Sequence, residues 1–198
     1  MSAIQTIWQR AHQWLETNAP HARDWWAPPA APEMITRAEK TLGVSLPDDL
    51  RESLQIHNGQ RSYTAPLFAG LRLLSIEEIV RDWEVDSRIA AAEGRTPARS
   101  LPPDVVRPVW VSAGWIPFAR DESGNAAVVD LDPGPAGIAG QVVYYFSKHP
   151  DRPRVAHTFT EFLSDRIDEW ENGSEVPDRD SDGYFLGFVS ARREWRER

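Results

Sequence analysis

Closely spaced carboxylates are the residues of this 198-residue sequence that could most readily do chemistry, because their oxygens bind divalent cations or move protons. Asp178-x-Asp180-x-Asp182-Gly183 places oxygen donors at positions 1, 3 and 5 of a loop and glycine at position 6, as an EF-hand does. Position 12 is Val189, where that loop needs a bidentate glutamate, and no helical pattern precedes the loop. We therefore predict no functional calcium site in this segment.

A second pair of carboxylates, Asp130 and Asp132, lies at the end of an apolar, β-branched run. Residues two apart on a strand face the same side, so the pair could serve as a general acid and base or hold a divalent ion. Alternatively, the two side chains accept hydrogen bonds from the backbone of the Pro-Gly turn that follows. The first interpretation predicts a hydrolase or a metal-dependent enzyme, and the second predicts a structural turn.

Histidines and cysteines offer little further chemistry. The five histidines, which show no metal-binding spacing, are His12, His21, His57, His149 and His157. His57 precedes an Asn-Gly helix exit, where a cation in the last helical turn has a structural role. There is no cysteine, no Gly-x-Ser-x-Gly motif and no phosphate-binding loop, so we predict no catalytic residue, no metal and no cofactor.

Charge and hydropathy exclude other classes of protein. The sequence has 22 Lys and Arg against 30 Asp and Glu, a net charge of −8 that argues against nucleic-acid binding. No apolar run approaches the roughly 18 residues that a membrane span requires. The first residues lack the basic and then apolar segments of a secretory signal, so we expect a cytoplasmic protein.

Two acidic stretches could instead meet a protein partner with a basic surface. Glu78, Asp82 and Asp86 repeat every four residues, so on a helix they share one face. Like charges at that spacing destabilise a helix, and lysines or arginines of a partner would relieve the repulsion. Residues 161–182 carry nine acidic residues and two arginines, and both stretches could equally be solvated surfaces.

Trp25-Trp26 is a third candidate for partner binding. The pair lies in a proline-rich loop between two predicted helices, and the whole sequence has nine tryptophans. Tryptophan belongs mostly to protein cores, but it is also over-represented at the centres of interfaces.

Five helices are predicted from capping signals and apolar spacing. Ser2-x-x-Gln5 and Ser75-x-x-Glu78 are capping boxes, and prolines open two of the other helices. The predicted helices begin near residues 3, 32, 48, 76 and 159, and the first, second, third and fifth end near 18, 42, 57 and 172.

Strands dominate the second half of the sequence. Short β-branched and aromatic runs predict strands at 109–111, 115–118, 126–131 and 141–146, with an edge strand at 155–157 and one within 67–74. Residues 93–108, which contain four prolines, read as a long loop. This order predicts an α+β fold with an antiparallel β-meander packed against N-terminal and C-terminal helices. We assign residues 1–172 to the domain and 173–198 to an acidic turn and short extension.

An ordered series of motifs over residues 25–172 resembles the Smi/Knr family of the SUKH superfamily. The motifs are Leu46-Pro47-Asp48-Asp49-Leu50, His57-Asn58-Gly59, Leu73-Leu74-Ser75-Ile76-Glu77-Glu78, Trp115-Ile116-Pro117-Phe118, Gly124-Asn125, Leu131-Asp132-Pro133-Gly134 and Phe159-Thr160-Glu161-Phe162-Leu163. The resemblance implies a single SUKH-like domain in which the motif residues are structural: Leu46, Pro47, Asn58, Gly59, Trp115, Pro117, Gly124 and Asn125. It also favours the turn interpretation of Asp130 and Asp132.

The resemblance implies two kinds of function. Fungal members regulate cell-wall synthesis and act as interaction hubs, whereas bacterial members are often immunity proteins that neutralise toxins. Our main prediction is a non-catalytic immunity protein that covers the basic active site of a cognate polymorphic toxin. The alternative is a regulatory scaffold that resembles the fungal regulators. The residues predicted to meet the partner are Glu78, Asp82, Asp86, Trp25 and Trp26.

Overall fold

The computed structural model describes residues 1–61, 66–68, 70–93, 97–179, 181 and 185–190. The helices in these ranges are α1 (Ala3–Asn18), a 3-10 helix (Pro20–Trp25), α2 (Pro32–Leu42), α3 (Asp48–Ile56), α4 (Ile76–Glu93) and α5 (Phe159–Asn172). The strands are β1 (Arg72–Leu73), β2 (Arg99–Leu101), β3 (Trp115–Arg120), β4 (Ala126–Asp130), β5 (Gln141–Tyr145), β6 (Asp151–Ala156), β7 (Glu175–Arg179) and β8 (Phe185–Ser190).

Both predicted capping boxes are present. At the start of α1 the Ser2 hydroxyl accepts from the Gln5 N–H at 3.1 Å, and Gln5 Oε1 accepts from the Ser2 N–H at 3.2 Å. Before α4 the Glu78 N–H donates to the Ser75 hydroxyl at 3.2 Å, and Glu78 Oε2 accepts from the Ser75 N–H at 2.8 Å. Each box satisfies backbone N–H groups that have no partner inside the helix, which fixes where the helix begins.

The main sheet has six strands in the order β1-β3-β4-β5-β6-β2. Strands β3 to β6 form the predicted antiparallel meander, and β1 extends it antiparallel at one edge. Strand β2 pairs parallel with β6 at the other edge. The predicted α+β class and antiparallel meander are therefore confirmed.

Several predicted strand boundaries are wrong. The loop predicted at 93–108 contains β2, and the strand predicted at the edge from residue 155 is β6, which lies inside the sheet. Val109, predicted to begin a strand over 109–111, forms an isolated bridge with Pro97, whereas the strand predicted within 67–74 is confirmed as β1. The parallel β2–β6 pairing joins segments some 50 residues apart, so no local pattern reveals it.

Each face of the meander packs against a different layer. One face carries Ile116, Phe118, Val129 and Val142, which join the helices in the larger apolar core. The opposite face carries Trp115, Val128, Val143 and Tyr145, which pack with Val105, Val106 and Val111 of the chain between β2 and β3. The apolar residues near 109–111 are therefore explained by burial under the sheet.

Strands β7 and β8 form a separate two-stranded antiparallel sheet after α5. The division of the chain at residue 172 stays a prediction. Within the residues that the structure describes, no helix is long and apolar enough to cross a membrane.

Candidate functional site

A surface cleft lies where α1 meets the loop after the 3-10 helix and the end of α3. Its volume is about 390 Å³, and its lining includes His12, Glu16, Arg23, Trp26 and His57. A volume of this order is in the range of about 300–1,000 Å³ typical of binding pockets. Histidine, tryptophan and charged side chains therefore line one accessible cleft.

Backbone hydrogen bonds hold the walls of this cleft. The Ala27 N–H donates to the Gly59 carbonyl at 3.0 Å, and the Asn58 N–H donates to the Pro28 carbonyl at 3.1 Å. The His57 N–H donates to the Ser53 carbonyl at 2.9 Å and so ends α3. These hydrogen bonds hold together two segments that are far apart in sequence, and both segments lie beside α1.

His12 and His57 both line the cleft, and their rings contact each other. Their Nε2 atoms are 2.7 Å apart, and their ring planes are nearly perpendicular. The His57 ring also stacks on Trp26 at a centroid distance of 5.3 Å and meets the edge of Trp8 at 4.9 Å. The two imidazoles are thus joined by one hydrogen bond and held among aromatic rings.

Burial lowers the pKa of both histidines. The pKa of His57 falls to about 4, first because the ring is desolvated and then because His12 lies beside it. Burial also lowers the pKa of His12, although the nearby Glu16 carboxylate opposes this effect. Both rings are therefore neutral at pH 7. The expectation that His57 acts as a cation at the end of α3 is wrong, because its ring is desolvated.

Acidification is expected to destabilise the fold through His57. Its folded pKa of about 4 lies below the unfolded value of 6.5, so the folded state binds fewer protons. Stability that is present above pH 6.5 is then lost as the pH falls towards 4. Between about pH 7.5 and pH 5 the loss from this residue alone is about 2 kcal/mol.

Urea unfolding of the wild type and His57→Gln at both pH values measures this loss. The variant should lose about 2 kcal/mol less than the wild type on acidification. Because the two proteins are compared under the same conditions, contributions from titrating groups that do not contact His57 cancel. His21→Gln, at an exposed histidine, is the matched control. Equal pH dependence in all three proteins would contradict the assignment.

Asn58 and Gly59 form a backbone junction behind the cleft. Asn58 Oδ1 accepts from the Ile76 N–H at 2.7 Å, and Asn58 Nδ2 donates to Glu77 at 3.1 Å. Gly59 has φ +74°, and a Cβ at this position would lie 2.5 Å from the carbonyl carbon of Leu74. The Asn-Gly pair therefore ties the end of α3 to the start of α4.

The predicted acidic face of α4 is directed towards arginines of the same chain. Glu78 forms a bidentate ion pair with Arg72 at 2.8 and 3.1 Å. Arg120 lies 3.1 Å from Asp82 and 2.5 Å from Asp86. The three carboxylates share one face, and Arg72 and Arg120 already relieve their repulsion within the chain. A role of this face in partner binding stays a prediction.

The pKa values of Asp86 and Glu78 shift in opposite directions. It raises the pKa of Asp86, and Arg120 opposes that rise. Burial opposes ionisation of Glu78 as well, yet hydrogen bonds from Arg72 and Ser75 hold its pKa below the usual value. Asp86 thus depends on Arg120 to remain charged inside the fold.

Removing Arg120 is expected to destabilise the protein. Arg120→Gln should lower the free energy of unfolding by about 2 kcal/mol, because it leaves Asp86 desolvated without its cation. Arg81→Gln, at an arginine whose side chain is 65% exposed, should change it by no more than about 0.5 kcal/mol. Urea unfolding of both variants checks the prediction, and equal losses would count against a structural role for Arg120.

Asp130 and Asp132 have separate structural partners. Asp130 is fully buried and accepts from the Asp132 N–H at 3.0 Å and from Gln141 Nε2 at 2.9 Å. Asp132 forms an ion pair with Arg107 at 2.6 Å. Burial raises the pKa of Asp130, and the hydrogen bond from Gln141 opposes that rise. Asp130 thus accepts a backbone hydrogen bond at the turn, as the turn interpretation predicts, whereas the described partner of the Asp132 carboxylate is the Arg107 side chain.

The comparison with known families extends over most of this fold. The model of the SMI1/KNR4 family (SUKH-1) matches residues 29–165, which run from the cleft loop into α5. The chain belongs to the SMI1/KNR4 family. The predicted resemblance is thereby confirmed.

Relatives of this SMI1/KNR4 protein include named fungal regulators. It is 33% identical over 206 residues to the "cell wall biosynthesis/cell cycle regulator smi1" of Schizosaccharomyces pombe, covering 97% of this chain and 41% of that protein. It is 26% identical to the "cell wall assembly regulator SMI1" of Saccharomyces cerevisiae, covering 94% and 44% respectively. The chain thus spans about two fifths of the length of these relatives.

A bacterial relative matches a shorter segment. The uncharacterized protein YnaB of Bacillus subtilis is 40% identical over 57 residues, which are 29% of this chain and 36% of that protein. Its name states no function, so toxin neutralisation stays a prediction.

The remaining motif residues of the SMI1/KNR4 chain have structural surroundings. The Leu46 N–H donates to Glu39 at 2.8 Å, and Pro47 immediately precedes α3. Trp115 is 2% exposed. Pro117 stands at a register shift between β3 and β4. Gly124 has φ +85° in the turn before β4, where Asn125 hydrogen-bonds to Asp121 through its N–H and its side chain.

The two predicted partner residues of the tryptophan loop differ in burial: Trp26 is buried and Trp25 is half-buried. Trp26 is 6% exposed, belongs to the core and lines the cleft. Trp25 packs against the core, and its ring lies 5.8 Å from that of His21. A role in partner binding stays a prediction for both.

The acidic segment after residue 161 is only partly described. Asp168 and Glu171 of α5 both form ion pairs with Arg10 of α1. Half of the EF-hand-like pattern, namely Asp180, Asp182 and Gly183, lies outside the described residues. In the described parts of the chain, no three His, Asp or Glu side chains converge as the ligands of a metal ion.

Sequence reasoning missed the histidine pair because its members are 45 positions apart. The usable signal was His12 and Glu16, which are four residues apart and so share a face of α1. Nothing in the local pattern of α3 indicates that His57 would meet this face.

Proposed function

We propose that this SMI1/KNR4 chain is a non-catalytic protein-binding module with a regulatory role. The observation that carries this proposal is the near-complete alignment of the chain with part of the fission yeast protein named as a cell-wall biosynthesis and cell-cycle regulator. The similar match to the budding yeast cell wall assembly regulator supports the same conclusion. This corresponds to the alternative that the sequence raised.

Two groups of charged residues differ in role: one supports the fold and the other lines the cleft. Asp130, Asp132, Asp82 and Asp86 are engaged in turns and ion pairs, so they support the fold. The cleft instead exposes charged, histidine and tryptophan side chains, and backbone hydrogen bonds hold its walls. Interfaces commonly combine apolar anchors with a polar rim, and the cleft offers both within one cavity.

Two exposed residues at the rim of the cleft are suitable for recognition. Glu16 on α1 and Arg23 on the 3-10 helix line the cavity, and their charges are opposite. A partner with complementary charges would gain orientation and a faster association rate from both. We therefore place the docking surface at this cleft.

A chimaera tests the proposed function. In a fission yeast strain that lacks smi1, this chain replaces the matching segment of smi1, and cell-wall biosynthesis is compared with the wild type and the deletion. Restoration at normal expression supports a regulatory module. A folded, normally expressed chimaera that behaves like the deletion contradicts it.

Charge reversal in the chimaera tests the docking surface. Combining Glu16→Arg with Arg23→Glu is expected to abolish restoration without lowering the melting temperature of the isolated chain by more than a few degrees. Lys40→Glu, at an exposed position of α2, is the matched control. If both chimaeras restore function equally, the docking surface lies elsewhere.

A further inference from the structure

The histidine pair has the elements of a metal site that the protein-binding role does not use. Its two Nε2 atoms are 2.7 Å apart, on separate elements, at the wall of an accessible cavity. Nitrogen ligands of zinc stand about 2.0–2.1 Å from the ion, which puts two nitrogens of a tetrahedral site about 3.3 Å apart. Both rings could bind one ion after two changes: the nitrogens separate by about half an ångström, and the rings turn so that the two Nε2 lone pairs point to one common position instead of along the line between them.

The surroundings of His57 suit a side chain that binds a metal ion. Its Nδ1 lies 3.4 Å from the Ala27 carbonyl, the type of outer contact that orients a ligating histidine. With the proton on Nδ1, the lone pair on Nε2 is directed at His12. Binding of an ion replaces the hydrogen bond between the rings, and the proton that His12 donates from Nε2 then moves to its Nδ1.

Glu16 can supply a third ligand. It follows His12 by one helical turn, lines the same cavity and is exposed, so its side chain can rotate without disturbing the core. The three side chains do not converge in the present arrangement, and rotation of Glu16 is the change that a metal ion has to induce. Two histidines and one carboxylate form a set typical of divalent transition-metal sites.

We propose that His12, His57 and Glu16 bind a divalent transition-metal ion of the zinc type, with water completing the coordination. The ion would connect α1 to the segment after α3 and so brace the wall of the cleft. The site does not require the proposed regulatory role, although it shares Glu16 with the proposed docking surface, and zinc binding to the chain alone tests it separately from the chimaera.

Calorimetric titration of the full chain with ZnCl₂ at pH 7.5, after treatment with a chelator, tests the site. The expected result is saturable binding of one ion per chain, and no saturable binding of CaCl₂, because calcium prefers oxygen ligands. His12→Gln and His57→Gln should each weaken zinc binding at least tenfold, and Glu16→Gln should weaken it several-fold.

His157→Gln is the matched control for adventitious binding. His157 and Glu161 are also four residues apart, with Nδ1 and Oε2 3.0 Å apart, but they lie on an exposed surface away from the cleft. This variant should bind zinc as the wild type does. If it abolishes binding, or if His12→Gln leaves the affinity unchanged, the proposed site is wrong.

Histidine ring resonances of the wild-type chain give a readout that does not depend on any variant. Added zinc should shift the signals of His12 and His57 at one equivalent and leave those of His21 in place. Absence of saturable heat and of any such shift at millimolar zinc means that the pair is only a hydrogen-bonded contact, which overturns the proposal.

Discussion

Trp115→Ala is expected to lower the free energy of unfolding by about 3–5 kcal/mol, the largest loss that we predict from a single side chain. The indole is 2% exposed and stands on the face of β3 that packs against Val105, Val106 and Val111. Truncation removes apolar contacts and leaves a cavity that these short side chains cannot fill. Urea unfolding at pH 7.5 measures the loss.

Trp115→Phe is the graded control. It keeps an aromatic ring against Tyr145, whose centroid is 6.4 Å from that of Trp115, so it should lose clearly less stability than the alanine variant. A Trp115→Ala protein with a wild-type melting temperature but impaired partner binding would instead place this residue in an interface.

Gly59→Ala is expected to cost at least about 3 kcal/mol, because it combines left-handed backbone strain with a steric clash. At φ +74° the new Cβ would lie 2.5 Å from the Leu74 carbonyl carbon and 2.6 Å from the Ser75 nitrogen. These are backbone atoms, which cannot rotate away as a flexible side chain does. The junction between α3 and α4 would have to open.

Gly43→Ala separates the two causes. Gly43 also has a positive φ, of +71°, but a Cβ there would have no neighbour within 4 Å. Its substitution should therefore cost about 1–2 kcal/mol, from the backbone conformation alone. Similar losses for both variants in urea unfolding would show that the contact with Leu74 does not constrain Gly59.

Local signals predicted the helices well because their causes are local. Ser2 and Ser75 cap the helices that follow within three residues, and Gly43 ends α2 in a left-handed conformation. The meander was predictable for the same reason, since its β-branched runs and turn residues alternate over short distances. The ordered motifs then led to the correct family.

Long-range pairing accounts for what the sequence did not reveal. The β2–β6 contact, the ion pairs of Arg120 with Asp82 and Asp86, and the histidine pair all join residues that are distant in the chain. The spacing of Glu78, Asp82 and Asp86 predicted a shared face correctly, but it carried no information about Arg120. Charge patterns along one helix therefore cannot distinguish a partner surface from an internal ion-pair network.

The lengths of the outermost strands also restrict how this protein can associate. Strand β1 has two residues and β2 has three, so neither outermost strand of the six-stranded sheet is long, whereas β7 and β8, with five and six residues, are both edge strands of the separate sheet. A short edge strand is a poor template for an added strand, which limits both aggregation and β-augmentation. Addition of a strand at β1 or β2 is therefore disfavoured, and a partner that pairs with backbone would find its longer edges on β7 and β8.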